Sequence, residues 1–480
     1  MSEKPPYRIP SMEELRAVPW NGYNVVSTFT GAGGSCLGFR WAGFRTVYAS
    51  EFVPAARETF AANQGWEPDP RDVREVTSAS VRALAEVRGL GKGQEIDVLE
   101  GSPPCASFSM SGSRAKHWGE VRKYSDVRQR TDDLFTEFAR LVGELRPKVF
   151  VAENVSGLLR GVARGYFKEI HAQLAAQGYV VRAKLLDAQW LGVPQARRRV
   201  ILIGVREDLG LEPAFPTPLP YRYSIRDALP HLGGVIKDTM AYEGRTAFGL
   251  ETEPIGTIRV SGGSASRYRV RPAAINYRGG ARLKRAPVAL DKPSPAIAAQ
   301  GAQMQEYEIT DAQIVTRPWS GSPRMRVDLD EPLPTVLAAA GGGDGKQAQR
   351  FAVLETDPET GYRITMEGHA LAPFYRRLQP GESSDRYFNL VRPDEREPVP
   401  TIVAENNRRG VAGVAHPTQA RKFTLEELRR LCGFPDDFVL TGTYSQRWER
   451  LGRAVPPPMA RAIADSVRQV LDQAKGKVGR

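Results

Sequence analysis

Short apolar runs alternate with amphipathic segments from residue 24 to about residue 205. The runs that we interpret as strands are residues 24–29, 45–50, 96–99, 148–152, 180–186 and 200–205. Segments with helical periodicity separate them, and strands that alternate with helices usually pair in parallel. The pattern therefore predicts an α/β fold with a doubly wound, mostly parallel sheet.

The pattern changes after residue 208, where prolines, glycines and arginines become frequent and helical periodicity is lost until Thr424. A short unit recurs in this region, and it begins at Pro254, Pro293, Pro332 and Pro398. The first three of these prolines are 39 residues apart, and the fourth lies 66 residues further on. We interpret the unit as a proline turn that enters a short strand and a glycine turn that leaves it, with chance recurrence in proline-rich sequence as the alternative. The region predicts a second, irregular β-rich domain.

The composition of the 480 residues is that of a globular protein, with 41% hydrophobic and 25% charged residues. No apolar run is long enough to cross a bilayer, and the amino terminus has no signal-peptide pattern. The three cysteines are too few for a disulfide framework, which favours a reducing, cytoplasmic location. The five histidines are scattered without zinc-ligand spacing, so no metal site is predicted.

The net charge of +12 favours a polyanionic partner, although solubility alone also accounts for it. Residues 259–285 carry eight basic residues and no acidic one, with Tyr268 and Tyr277 among them. A solvated basic face is the usual meaning of such a run. The interleaved tyrosine, asparagine and glycine favour a nucleic-acid surface instead.

A glycine-rich turn at residues 30–34 joins the first predicted strand to a helix. Glycine lets backbone N–H groups approach a ligand where a Cβ would block them, as in nucleotide-type cofactor sites. Glu51 ends the second strand, where a carboxylate can accept hydrogen bonds from ribose hydroxyls. Asp72 follows a segment that we interpret as one more strand, between the runs 45–50 and 96–99, at a position that suits contact with an adenine ring. An ordinary tight turn, a surface carboxylate and a loop cap are the respective alternatives.

Cys105 follows two prolines at the end of a further apolar run. The prolines fix their own φ angles and extend the residue before each, so the thiol lies on a stiffened turn. Open α/β sheets place their chemistry at the carboxyl ends of their strands. For a cysteine considered alone, burial in a tight loop is the more common outcome. The remaining motifs must therefore decide between a structural and a catalytic thiol.

Seven short motifs occur in an order that is specific to one enzyme family. They are residues 29–34, Glu51, 103–105, 153–155, 195–199, 431–435 and 452–457. Together these stretches resemble the DNA cytosine-5 methyltransferases, a family that includes restriction-modification enzymes. The resemblance covers most of 24–206 and 424–471, and the ordered set of motifs is far more specific than any one of them.

The resemblance implies S-adenosylmethionine as the cofactor and duplex DNA as the substrate, bound by a monomer. It divides the chain into an amino-terminal extension (1–23), a catalytic domain (24–207), a target-recognition domain (208–450) and a carboxyl-terminal segment (451–480). That last segment is expected to return to the catalytic domain beside the glycine turn. The cofactor-binding residues that the resemblance implies are Phe29, Gly31, Gly33, Gly34, Glu51, Asp72, Pro103, Arg453 and Val455.

The resemblance also implies the catalytic residues. Cys105 matches the nucleophile whose thiolate adds to carbon 6 of cytosine and makes carbon 5 nucleophilic. Glu153 matches the acid that holds ring nitrogen 3 and the exocyclic amine, a general-acid role. Arg199 and Arg197 match residues near the base oxygen and the thiol, with structural ion pairs as the alternative. Because a stacked base cannot reach such a site, the cytosine is expected to flip out of the duplex, and residues 109–130 to close over it.

Three residues depart from the family pattern. Ala106 and Cys432 stand where glutamine is common, and Arg453 stands where asparagine is usual. In the family this last position is near the reactive end of the cofactor, where a guanidinium beside a sulfonium needs an intervening anion. A phosphate, a protein carboxylate or the cofactor's own carboxylate would serve. The sharper hypothesis is a carboxyl group on the transferred carbon, as in carboxy-S-adenosylmethionine, which would yield 5-carboxymethylcytosine.

Two further functions are compatible with much of this sequence. The same catalytic set supports RNA cytosine-5 methylation, although the long middle region favours duplex DNA. An inactive DNA-binding module is the alternative outside the enzyme class. The joint presence of Cys105, Glu153 and Arg199 argues against it.

Overall fold

The structure is a computed structural model. The residues that it describes are 4–104, 133–161, 163–230, 356–366, 368–387, 390–403 and 413–478, with separate short strands within 122–129 and 235–339. Cys105, Ala106 and most of the predicted closing loop, 109–130, lie outside the described residues, as does most of the basic run 259–285. Within the described residues, no helix is long and apolar enough to cross a membrane.

The elements are numbered in chain order. The helices are α1 (Met12–Ala17), α2 (Gly34–Trp41), α3 (Pro54–Gln64), α4 (Ser78–Val87), α5 (Leu134–Leu145), α6 (Ala163–Ala175), α7 (Ile225–Ala228), α8 (Ala372–Arg377), α9 (Leu425–Leu431), α10 (Tyr444–Arg453) and α11 (Pro457–Val478). The strands are β1 (Asn24–Thr28), β2 (Arg45–Ser50), β3 (Val98–Gly101), β4 (Arg122–Tyr124), β5 (Val127–Gln129), β6 (Val149–Val155), β7 (Tyr179–Asp187), β8 (Gln195–Ala196), β9 (Arg198–Arg206), β10 (Val235–Ile236), β11 (Arg245–Phe248), β12 (Ile258–Ser261), β13 (Tyr268–Arg269), β14 (Asn276–Arg278), β15 (Ile297–Ala299), β16 (Glu306–Thr310), β17 (Gln313–Arg317), β18 (Met325–Asp328), β19 (Val336–Ala339) and β20 (Val399–Pro400).

The chain divides into two compact units. The first unit consists of Met1–Ala228, Arg396–Arg408 and Leu425–Arg480, and the second consists of Leu229–Glu395 and Arg409–Thr424. A six-stranded sheet in the order β2-β1-β3-β6-β9-β7 forms the first unit. The first four strands of that order pair in parallel, and β9 runs antiparallel to both of its neighbours. The predicted doubly wound, mostly parallel sheet is confirmed.

Apolar cores lie on both faces of this sheet, which explains why its central strands carry apolar residues at consecutive rather than only at alternating positions. On one face, Phe138 of α5 and Leu174 of α6 pack with Phe150 of β6. On the other face, Phe39 of α2 and Ile463 of α11 belong to a second core. Side chains that project to either face of a strand therefore find apolar partners.

The last helix packs closely against α2. A Cβ on Gly38 would lie 2.3 Å from the Cβ of Ala460, so only glycine permits this approach of the two helices. Gly34 has the same role at the start of α2, because a Cβ there would lie 2.4 Å from the carbonyl oxygen of Val455. The segment that joins α10 to α11 is thereby held against the first turn of α2.

The strands predicted for the first three copies of the 39-residue repeat are present, while the flanking proline and glycine turns lie outside the described residues. The strands β12, β15 and β19 begin at Ile258, Ile297 and Val336, which are equivalent positions of the unit. They lie side by side in one sheet, with β12 and β15 each paired in parallel to β19. Equivalent residues face each other, since Arg259 and Ala298 both pair with Leu337.

Two further paired strands are related by the same spacing of 39 residues. Tyr277 of β14 pairs in parallel with Thr316 of β17, and these residues are again 39 positions apart. The fourth proline unit differs, because β20 pairs in parallel with β8 in the first unit of the chain. The repeat in the sequence therefore corresponds to a repeated strand arrangement. Its last copy, which follows at an irregular spacing, pairs with a strand outside that arrangement.

One predicted strand is wrong. The segment before Asp72 forms only an isolated bridge between Ser50 and Asp69, and Asp72 begins a short 3-10 turn at Val73–Glu75. The segment holds Pro68 and Pro70, and a proline cannot donate to a strand ladder.

Candidate active site

A cleft opens at the carboxyl ends of β1, β2 and β3, with a volume of about 870 Å³ when the open solvent at its mouth is included. The predicted cofactor residues that line it are Phe29, Gly31, Glu51, Asp72, Arg453 and Val455. The other three, Gly33, Gly34 and Pro103, are not among its lining residues. Segments that are more than 400 residues apart in the sequence thus meet at one edge of the sheet.

Glu51 ties the glycine turn to the end of β2. Its Oε2 accepts a hydrogen bond from the Gly31 N–H at 2.8 Å, and its Oε1 accepts one from the Val53 N–H at 2.7 Å. Burial raises the pKa of Glu51, while these two bonds and the positive charges of Arg450 and Arg453 oppose that rise. A carboxylate has further lone pairs, so Glu51 can still accept hydroxyl groups from a ligand in the cleft.

The glycine turn adopts the left-handed backbone that only glycine reaches without strain. Gly31 has a φ of +57°, and Gly33, which precedes the first residue of α2, has a φ of +90°. Phe29 has a φ of +53° although it carries a side chain, a conformation that costs about 1–2 kcal/mol. The strain is localised where Phe29 joins the cleft wall, as expected for a ligand site.

Asp72 caps a short turn, as the alternative reading of the sequence expected, and it also lines the cleft. Its Oδ1 accepts a hydrogen bond from the Arg74 N–H at 3.1 Å and so begins the short turn. The same carboxylate pairs with the Arg74 guanidinium at 2.8 Å. Asp72 is therefore a loop cap that also lines the cleft.

The helix α10 brings two arginines to the cleft, Arg450 and Arg453, of which the sequence predicted only the second. Glu449 Oε1 lies 2.8 Å from Arg453 Nε, and Glu449 Oε2 lies 3.9 Å from a terminal nitrogen of Arg450. A protein carboxylate therefore stands beside Arg453. The sequence patterns predicted no helix over this segment; a helix would have placed Arg450 and Glu449, three and four residues before Arg453, on the same face as Arg453.

The proline turn that leads to the predicted nucleophile is held from the neighbouring strand. Asn154, near the end of β6, donates from Nδ2 to the Pro103 carbonyl oxygen at 3.1 Å. Its Oδ1 accepts the Val155 N–H at 2.8 Å, which fixes the orientation of the amide. Pro104 lines the cleft, and Cys105 is the next residue in the chain.

Glu153 and Arg199 form an ion pair in which Nε and Oε1 are 2.7 Å apart. Both side chains are almost buried, with 13% and 12% of their surfaces exposed. No described residue gives Glu153 Oε1 a directed hydrogen bond, so the contact with Arg199 balances charge without aligning an N–H with the oxygen. The carboxyl group can therefore still donate to or accept from a ligand.

Comparison with known proteins shows which family the chain belongs to. The family model of the C-5 cytosine-specific DNA methylases matches residues 23–318 and 339–469. The chain belongs to this family.

The methylase is similar to curated relatives over more than nine tenths of its length. It is 29% identical over 453 residues to the Type II methyltransferase M.XorII of Xanthomonas oryzae pv. oryzae, a match that covers 93% of this chain and 84% of that protein. It is 25% identical to M.AgeI of Thalassovita gelatinovora over 92% of this chain and 99% of that protein. The predicted family and enzyme class are confirmed.

A solved structure shares the fold of the methylase. It is described as a DNA modification methyltransferase encoded within a prophage (E. coli). The two chains superpose with a TM-score of 0.53 at 20% identity, over 94% of this chain and 100% of that one.

In the methylase, Arg197 occupies a different environment from Arg199. Its side chain is 1% exposed and donates to the carbonyl oxygens of Gly452 at 2.9 Å and Arg453 at 3.3 Å. Burial, with the nearby charge of Arg199, lowers the pKa of Arg197 to about 9. These contacts hold the backbone of the segment 452–453, so Arg197 has a structural role, through hydrogen bonds to carbonyl oxygens rather than through the ion pair that the alternative named.

The sequence missed Glu100, a buried carboxylate in the methylase. Glu100 is 4% exposed and lies in β3, which the sequence ended at Leu99. A charged residue after an apolar run is a common sign that a strand has reached solvent. The strand instead continues to Gly101, and the carboxylate turns inward to hydroxyl groups.

Replacing Glu51 by glutamine is expected to weaken S-adenosylmethionine binding by about 10- to 100-fold, because charged hydrogen-bond acceptors contribute about 1.5–3 kcal/mol. Isothermal titration calorimetry measures the dissociation constant. Glu58→Gln on the exposed side of α3 is the matched control and should bind like the unmodified protein. Equal affinity of the two variants would exclude Glu51 as a ligand-binding residue.

Proposed function

We propose that the chain methylates carbon 5 of cytosine in duplex DNA and takes the methyl group from S-adenosylmethionine. The observation that carries this function is the convergence of Glu51, the turn at Pro103 and Pro104, and the Glu153–Arg199 pair along the carboxyl ends of the sheet strands. The names of the relatives support a place in a restriction-modification system.

The reaction needs a nucleophile because carbon 5 of cytosine is too weak to take a methyl group directly. The Cys105 thiolate would add to carbon 6, and the electrons of the 5,6 double bond would move into the ring. Carbon 5 would then be an enamine carbon that can bond the methyl group. Loss of the carbon 5 proton afterwards would reform the double bond and break the carbon–sulfur bond.

Glu153 is suited to stabilise the ring during thiol addition. Its carboxyl group would donate a proton to ring nitrogen 3, where negative charge accumulates as the carbon–sulfur bond forms. Arg199, at 2.7 Å, would then compensate the carboxylate that remains. Arg199 would therefore be a suitable neighbour for Glu153 both before and after Glu153 gives up its proton.

The cleft suits S-adenosylmethionine in its chemistry, since backbone N–H groups of the glycine turn and the Glu51 carboxylate line it. Glu51 would accept the ribose hydroxyls, and Phe29 would pack near the adenine. Bound there, the cofactor would supply an electrophilic methyl group. The described residues contain no group of three His, Cys, Asp or Glu side chains that could hold a metal ion.

The target cytosine must leave the base stack to reach residues at the end of β3 and β6, since these lie at the edge of a covered sheet. We propose that a monomer does this in the cytoplasm. Analytical ultracentrifugation with a short duplex would test the stoichiometry, with one chain for each duplex as the expected result.

The pairing of Arg453 bears on the choice of cofactor. Glu449 supplies the anion that the sequence required near this guanidinium, so an additional carboxyl group on the transferred carbon is not needed. Methyl transfer is therefore the favoured reaction. Carboxymethyl transfer from carboxy-S-adenosylmethionine would have to displace or share the contact with Glu449.

Incubation of duplex DNA with the protein and both cofactors together is expected to yield 5-methylcytosine and no 5-carboxymethylcytosine. Mass spectrometry of the released nucleosides makes the measurement. Transfer RNA supplied in a parallel reaction is expected to remain unmodified. Modified RNA with unmodified DNA would replace the proposal with an RNA methyltransferase, and no product on either would favour the inactive binding module.

A further inference from the structure

A groove on the first unit of the chain lies beside β2, the edge strand of the six-stranded sheet. We call it the edge groove, and its lining residues are Trp20, Arg40, Arg45, Thr46, Gln64 and Trp66. Arg45 is the first residue of β2, whereas Glu51 of the cofactor cleft follows the last one. Because a strand rises about 3.3 Å per residue, these two residues are separated by about 20 Å. The edge groove and the cofactor cleft therefore lie at opposite ends of β2 and share no lining residue.

Both tryptophans of the edge groove have an arginine stacked on the ring. Arg45 Cζ lies 4.1 Å from the ring centroid of Trp20, and Arg88 Cζ lies 3.6 Å from that of Trp66. A hydrogen bond from Trp20 Nε1 to the carbonyl oxygen of Tyr23, at 2.8 Å, fixes the first indole, which is still 45% exposed. A guanidinium that stacks by its face keeps its in-plane N–H groups available as donors.

Short connections bring the arginines of this region together. Arg40 lies in the last turn of α2, and a turn at Gly43, with a φ of +88°, leads to Arg45 at the start of β2. The end of α4 adjoins the same place, because a Cβ on Gly89 would lie 3.3 Å from Arg45 Nη1. Arg88 is the residue before Gly89, so three separate elements each contribute one positive charge.

No carboxylate balances these charges. Among the residues that the structure describes, none forms an ion pair with Arg40, Arg45 or Arg88. Burial lowers the pKa of Arg40, and the neighbouring charge of Arg45 lowers it further. Burial likewise lowers the pKa of Arg88. Partly buried charges are normally paired with charges of opposite sign, so this arrangement favours an anion in the edge groove.

Other arginine–tryptophan stacks of the same unit include a carboxylate. Arg461 lies over Trp41 at 4.7 Å from the ring centroid and is 3.6 Å from a carboxylate oxygen of Asp465. Arg222 is also stacked on a tryptophan, at 5.1 Å, and is 3.2 Å from a carboxylate oxygen of Glu397. Stacking on an indole therefore does not by itself require an arginine without an acidic partner. The edge groove differs from these two stacks in gathering three arginines and no carboxylate.

We propose that the edge groove binds a phosphate group, at a site separate from the one that modifies cytosine. Guanidinium groups present pairs of N–H donors whose spacing matches the oxygens of phosphate. The exposed part of the Trp20 indole suits a nucleobase beside that phosphate, since bases stack on aromatic side chains. The backbone of DNA, on which this enzyme family acts, carries such groups, and so does a free nucleotide. The experiments below distinguish these two sources.

Replacing Arg45 by glutamine removes one charge from the edge groove. If DNA supplies the phosphate, the affinity for a duplex should fall about tenfold at low salt. The slope of log K against log salt concentration should become shallower by about 1, the contribution of one phosphate contact. Fluorescence anisotropy of a labelled duplex over a series of salt concentrations measures both quantities. The dissociation constant of S-adenosylmethionine should change less than twofold, which also shows that the variant is folded.

Arg461→Gln is the matched control for Arg45→Gln. It removes the same charge and the same kind of stack, but from an arginine that already has a carboxylate partner. Its salt dependence should equal that of the unmodified protein. Arg40→Gln is a second test variant, because Arg40 lines the edge groove and takes part in neither of its two stacks. It should reproduce the effect of Arg45→Gln, which separates the loss of charge from the loss of stacking.

Inorganic phosphate is the probe for a free ligand. Its phosphorus NMR signal should broaden with the unmodified protein and with Arg461→Gln, and clearly less with Arg45→Gln. Loss of this broadening together with an unchanged salt dependence for the duplex would assign the edge groove to a free phosphate compound. Equal salt dependence and equal broadening for Arg45→Gln and Arg461→Gln would overturn the inference. The adduct with 5-fluorocytosine DNA tests the proposed reaction separately, because it depends on Cys105 and not on the edge groove.

Discussion

Replacing Cys105 by alanine is expected to lower methyl transfer to duplex DNA by at least about 10⁴-fold, because no other group can form the bond to carbon 6. A duplex with 5-fluorocytosine at the target position gives a sharper measurement. Fluorine cannot leave as the proton does, so the unmodified protein should remain covalently attached and migrate more slowly in a denaturing gel. The Cys105→Ala protein should form no such adduct.

Cys432→Ala is the matched control for the thiol. Burial raises the pKa of Cys432 to about 11, so this cysteine stays protonated and is a poor nucleophile at neutral pH. Its replacement should leave both the adduct and the rate within about threefold of the unmodified protein, since the loss of one small buried side chain mainly affects stability. An adduct that persists in Cys105→Ala would assign the nucleophile to another residue.

Replacing Glu153 by glutamine is expected to slow the single-turnover rate by about 10²- to 10⁴-fold, the usual contribution of a positioned general acid. Glutamine can still accept a hydrogen bond from the base amine but carries no proton for nitrogen 3. The affinity for S-adenosylmethionine should remain within about twofold, because the residues that line the cofactor cleft do not include Glu153. Rapid-quench kinetics with labelled cofactor separates these two quantities.

Glu212→Gln is the corresponding control for the loss of an ion-paired carboxylate. Glu212 pairs with Arg182 at 3.0 Å, and both side chains are exposed, so the exchange should change neither the rate nor the affinity. A Glu153→Gln protein with an unchanged rate would exclude the general-acid role. A loss confined to cofactor affinity would indicate that Glu153 contacts the cofactor and not the base.

The sequence predicted the frame of the site because that frame depends on local patterns. Short apolar runs separated by segments of helical periodicity located most strands of the first sheet, and the glycine turn has the positive φ angles that its glycines permit. The 39-residue unit likewise reflects a local rule. A proline turn and a β-rich pair determine where a strand begins, whatever the strand later pairs with.

Side-chain partners followed less closely from the sequence. Arg197 and Arg199 lie in one motif, yet the first donates to the backbone of Gly452 and the second pairs with Glu153. Which partner each arginine finds depends on the strand that lies next to β9 and on the register between the two strands. Asp72 was placed after a strand that does not form, although its side chain still reaches the cleft.

The sequence by itself determined the family, the sheet, the glycine turn and the order of the catalytic motifs. Each of these is encoded by residue types at short spacings. Only the tertiary structure decided that Glu449 stands beside Arg453, which lines the cleft, and that Glu100 is buried among hydroxyl groups. The reason is physical. Burial and charge pairing depend on the register between strands and on helix packing, which bring together residues that are distant in the chain.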